Sequence, residues 1–131
     1  LNLLSQMADH IAFLGFGRVP GKDGDGEIFY GTMPDLPDRA ICVYATDAGY
    51  PGSRQGARLQ ILVRGKTDRD AFRTCQDLSF ALSDWEGFLA GGLSRAQVDQ
   101  VSGARGLGSD EKGRKLYCLN IRVLYCEYDE E

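Results

Sequence analysis

The sequence predicts an α+β fold. It reads as a single domain, 1–131, with a mostly antiparallel sheet of about five strands and two helices packed on one face, in the order α-β-β-β-α-β-β. Three observations lead there. Apolar residues recur at helical spacing near the start and again beyond residue 67. The other long segments alternate in polarity or are rich in β-branched and aromatic residues, as strands are. Finally, the second helix separates groups of strands, which favours helices gathered on one face of an antiparallel sheet.

The first helix covers 3–14. Leu3, Leu4, Met7, Ala8, Ile11 and Leu14 share one face, while Gln6, Asp9 and His10 lie opposite and are expected to meet solvent. Gly15 and Gly17 end it. A Gly/Asp-rich turn leads into a short strand over 27–32. Pro34 and Pro37 then bracket an extended loop, because proline disfavours helix in the residue before it. A second strand spans 39–46, and a long turn follows over 47–56. The clearest alternation lies in 57–66, where Ala57, Leu59, Ile61 and Val63 point one way and Arg58, Gln60 and Arg64 the other.

Thr67-Asp68-Arg69-Asp70 resembles a capping box, the start signal of the second helix. Ala71, Phe72, Cys75, Leu78, Leu82 and Trp85 form its apolar stripe. A weaker strand covers 96–104, and 106–114 has the composition of a hairpin turn. The last strand, 115–128, carries Tyr117, Leu119, Ile121, Val123 and Tyr125 on one face. It is well past the usual ~6 residues, so it should bend or reach beyond its own subunit. That is a first hint of assembly.

Composition narrows the function. The 131 residues suit one domain, and no repeat, low-complexity stretch or linker divides them. No apolar run approaches the ~20 residues of a membrane span, and no signal peptide is evident. Four of the 19 acidic residues are Glu127, Asp129, Glu130 and Glu131, in an acidic tail over 126–131. The body before that tail balances 15 acidic against 15 basic side chains, which argues against a protein that grips phosphates. Cys42, Cys75, Cys118 and Cys126 lack zinc spacing, and His10 is the only histidine. They read as buried, reduced thiols of a cytoplasmic product.

The chemical motifs fail one by one. Lys22-Asp23-Gly24-Asp25-Gly26-Glu27-Ile28 suggests a calcium loop, but its end positions fall on Gly21 and Thr32, which supply no carboxylate. Gly15-Phe16-Gly17 follows a helix and opens none, unlike a phosphate loop. No nucleophile elbow is present, and no cysteine has a histidine near it in sequence to activate it. The reading is of no enzyme, no catalytic set, no metal and no cofactor. What stands out is the second face of the sheet. Arg58, Gln60 and Arg64 share it with Asn120, Arg122, Leu62 and Leu124, a mixture that suits either a solvated face or a protein interface.

A longer pattern gives that face a context. Phe29-Tyr30-Gly31-Thr32-Met33-Pro34-Asp35-Leu36-Pro37-Asp38 is followed by Val43-Tyr44 and by Gly49-Tyr50-Pro51-Gly52. Leu59-Gln60-Ile61-Leu62-Val63-Arg64-Gly65 comes next, then a helix with Ala71-Phe72, and then Gly106-Leu107-Gly108-Ser109-Asp110-Glu111-Lys112-Gly113-Arg114. In this order the segments resemble the tail-terminator, or minor capsid, family of long-tailed bacteriophages over roughly 25–128. The sequence lacks a proline in 102–106 that the family pattern carries, and its tail is denser in acid.

The resemblance implies a structural virion protein of the tail or neck, made in the host cytoplasm. It would form a ring, usually a hexamer, at the head-proximal end of the tail. There it would cap the tail-tube protein and dock to head-completion or connector proteins, with genomic DNA passing through its lumen and no membrane involved. Another neck component, such as a head-closure or adaptor protein, is the alternative, with a small α+β ligand-binding protein or enzyme behind it. On this reading Arg58, Arg64, Asn120 and Arg122 lie on or near the subunit contact. Tyr50 and Arg54 in the loop 47–56, and Trp85 and Phe88 at the loop 86–95, reach toward axial partners.

Overall fold

The computed structural model describes residues 3–21, 24–47, 55–88 and 95–126, without the side chains of Asp47, Gln55, Phe88, Gln100 and Cys126. Its elements are α1 (Leu3–Phe13), β1 (Ile28–Tyr30), β2 (Ala40–Asp47), β3 (Gln55–Gly65), α2 (Asp68–Leu82), β4 (Glu86–Phe88), β5 (Arg95–Val101), β6 (Arg105–Ser109) and β7 (Lys115–Cys126). Lys22 and Asp23 of the first turn, most of the loop 47–56, positions 89–94 and the acidic 127–131 lie outside the described residues. No helix among those described is long and apolar enough to cross a membrane.

The α+β class holds, with seven strands instead of about five. They run in the order β1-β2-β3-β7-β5-β4, and β6 pairs β7 beside that path. All pairings are antiparallel except β1 with β2. The two added strands are the three-residue β4 and the glycine-rich β6, which lies within the segment that reads as a turn. Only 110–114 closes that turn, with the Asp110 amide donating to the Arg114 carbonyl at 2.9 Å.

Alternation along β2, β3 and β7 sends Ile41, Val43, Leu59, Ile61, Val63, Leu119, Ile121 and Val123 to one face, where all are buried. Met7 and Ile11 of α1 and Cys75, Leu78 and Leu82 of α2 join them in one core. Thr67 caps α2, its hydroxyl accepting from the Asp70 amide at 3.2 Å. Gly65 lets the helix start close to the strand it leaves, since a Cβ there would stand 3.1 Å from Ala71.

Two expectations change. The described part of the long strand, Lys115–Cys126, is paired on both sides, and positions 127 and 128 lie outside the described residues. Lys115–Tyr125 pairs β3 on one side, while β6 takes the first part and β5 the last on the other. Its described length is satisfied inside its own subunit and carries no argument for assembly. His10 does not face solvent either: it is buried, with its ring centroid 4.2 Å from that of Trp85. Its ring is covered by Trp85, a residue 75 positions away that the helix pattern cannot reveal.

Candidate assembly surface

The sheet face opposite the helices is built by the even-numbered positions of β2, β3 and β7. Register fixes its rows: Cys42, Leu62 and Cys118 lie side by side, then Tyr44, Gln60 and Asn120, while Arg58 stands directly opposite Arg122. Toward the Gly65 end this face is covered. Toward the other end it is open among the described residues.

The cover is the proline loop 34–38. Arg64 lies beneath it, 5% exposed, and its guanidinium reaches four backbone carbonyls of the loop. Nη2 donates to Pro37 at 2.6 Å, Pro34 at 2.8 Å and Asp35 at 3.2 Å, and Nε to Asp38 at 3.1 Å. Arg114, also buried, grips the loop through its carboxylates, with Asp35 at 2.9 Å and Asp38 at 3.2 Å. Asp110 orients Arg114 from the turn at 2.8 Å. Hydrogen bonds from Lys112 and Arg114 hold the Asp35 carboxyl below the usual carboxylate range. Asp110 is likewise lowered, burial pushing it up but the Arg114 contacts prevailing. Burial under this loop also raises the Tyr44 hydroxyl to about 12, with the Cys42 thiol adding to the effect.

Beyond the loop the face opens into a groove of about 770 Å³ lined by Thr46, Arg58, Asp99, Val101, Ser102, Asn120, Ile121 and Arg122. Like charges placed directly across two strands repel. Asp99 relieves Arg122, with a 3.1 Å ion pair. Arg58 is exposed, and no described carboxylate side chain pairs with it; the side chain of Asp47, its register partner on β2, lies outside the described residues. The Arg122 Nε is buried without a hydrogen-bond partner. The groove therefore offers two guanidiniums with donors to spare, suited to the fork geometry by which arginine takes a carboxylate.

Of the eight residues singled out from sequence, Arg58, Asn120 and Arg122 meet in this groove. Arg64 shares their face but is sealed under the loop, bonded within its own subunit. Trp85 lies on the helix side against His10. Phe88 ends β4 at the sheet edge, with its side chain outside the described residues, as Tyr50 and Arg54 are altogether. Sequence reasoning missed Arg114, Asp99 and the pair Asp35 and Asp38. Nothing in the sequence pairs them: the Asp35 carboxylate is exposed and the Asp38 carboxylate only half-buried, and it is Arg114, far along the chain, that is buried against them.

A family model described as bacteriophage tail terminator protein matches residues 13–126. One solved structure, 13% identical, covers 79% of this chain and 82% of its own length with a TM-score of 0.55, a likeness of fold. No curated protein matches.

Proposed function

The chain belongs to the bacteriophage tail terminator family, a structural component of the virion, and from that premise we propose that it closes into a ring at the head-proximal end of the tail. The ring, a hexamer on the sequence resemblance, ends growth of the tail tube and joins the tail to the head-completion proteins. Genomic DNA passes through its lumen, and a body of balanced charge suits a conduit that does not hold phosphates.

The observation that supports ring closure is the open groove. A closing ring needs heterologous contacts, in which one patch meets a different patch of the next copy. Arg58 and Arg122, adjacent and with Asp99 the one carboxylate paired to them among the described side chains, form such a patch and suit acceptors from a neighbouring copy. The rest of the same face is already covered by the loop 34–38, so the contact surface is confined to the open end.

Tube growth tests the role. Purified tail-tube protein polymerised with this chain should give tubes that stop elongating and carry a ring at one end in negative-stain images. Tubes of unchanged length with bare ends overturn the proposal.

A further inference from the structure

A second cationic site lies at the covered end of the sheet, outside the groove. Arg39, Arg64, Lys66 and Arg73 line a pocket of about 260 Å³ with Gly65, Thr74 and one carboxylate, Asp70. Lys66 is exposed and only loosely paired, 3.7 Å from Asp38. Arg39 donates to the Phe16 carbonyl at 3.0 Å. Arg73 is exposed on α2 with no ion pair among the described residues. Cations thus converge here in excess, although the body as a whole is balanced. The net charge of −4 of the chain lies in the acidic segment 127–131, with four carboxylates in five residues.

The sheet register separates these two surpluses. Gly65, at the pocket, pairs Lys115 at the start of β7, whereas Cys126 ends that strand beside Arg95. Eleven residues of strand put the pocket roughly 35 Å from Cys126. The five residues 127–131 span at most about 18 Å when fully extended. They fall short of the pocket of their own subunit. A second copy, placed head to tail so that its β7 ends near this pocket, brings them within reach.

We propose that the pocket formed by Arg39, Lys66 and Arg73, with the buried Arg64 behind them, takes the acidic segment 127–131 of a neighbouring copy. The contact is heterologous, joining opposite ends of the same sheet, and is the kind that closes a ring. Its electrostatic character gives it an ionic-strength dependence that an apolar contact lacks. The inference rests on the ring reading for its setting, but it names its own pair of surfaces.

Zero-length carbodiimide coupling tests it. An equal mixture of unlabelled and ¹⁵N-labelled protein is assembled, coupled and digested, and peptides joining Lys66 to Glu127, Asp129, Glu130 or Glu131 are sorted by isotope. The expected result is joined peptides of mixed label, with a yield reduced about tenfold or more by Arg73→Glu. Peptides joined only within one label would assign the pocket to the chain's own segment and overturn the proposal. A ring seen by light scattering without any Lys66 coupling would overturn this contact and leave the ring standing. Absence of both ring and mixed coupling would remove the two together.

Discussion

Arg64 and Arg114 donate to the same backbone oxygen, the carbonyl of Asp35. Two guanidiniums, one near the end of β3 and one from the turn before β7, thus converge on one loop. Arg64 holds its backbone and Arg114 holds its carboxylates. Burial and the neighbouring Arg114 charge both disfavour the Arg64 cation and lower its pKa, against the partial support of Asp110, Asp35 and Asp38. Pro34 and Pro37 restrict the same loop from within, so it presents Leu36, 68% exposed, on a fixed base.

Removing the Arg64 fork should therefore unsettle the fold. Arg64→Ala leaves the carbonyls of Pro34, Pro37 and Asp38 without this donor, while Arg114 still serves Asp35, a loss of about 3 kcal/mol by urea unfolding. Arg64→Lys should recover little of it, because an ammonium cannot span the fork. Wild-type unfolding midpoints in both variants would contradict this role.

The groove behaves differently. Arg58→Glu should leave the monomer's unfolding midpoint within about 0.5 kcal/mol of wild type, as exposed substitutions generally do. The same change places a carboxylate beside Asp99 and should abolish assembly, read as sedimentation of the monomer. A folded Arg58→Glu protein that still forms a ring would take Arg58 out of the contact.

His10 gives the fold a pH dependence. Burial holds its imidazole below the ordinary 6.5, and neither ring nitrogen has a hydrogen-bond partner. The unfolded chain binds the proton more readily, so the stability His10 confers is complete above about pH 6.5 and is lost as pH falls through the folded value. Unfolding midpoints measured between about pH 7.5 and 5 should decline, and His10→Leu should flatten that slope. An equal slope in both proteins would assign the effect elsewhere.

Cys42, Cys75 and Cys118 are buried free thiols, and burial raises Cys75 to about 12. The thiolate is the reactive form. Native protein treated with iodoacetamide should show these three unmodified by peptide mass, and all three should react in urea. Rapid native labelling at any of them would show that its element opens.

Much of the framework was legible because it obeys local rules. The alternation over 57–66 placed both faces of β3 correctly, and Thr67 marked the start of α2. What failed depended on distant partners. Parity put Arg64 on the outer face but could not show that residues 34–38 lie over it. Helical spacing put His10 on a polar stripe, yet Trp85 covers the imidazole. The Gly106 and Gly108 spacing spoke for a turn, because a glycine-rich edge strand with a bulge has no side-chain alternation to betray it. Missing that strand made β7 look too long for its subunit.

The central claim is that the chain is a ring-forming subunit. Its mass in solution, measured by light scattering across concentration with and without tail-tube protein, tests that most directly. A closed assembly of several copies, alone or once tube protein is added, is the expected result. A monomer at every concentration, with tube protein present or absent, would contradict the account.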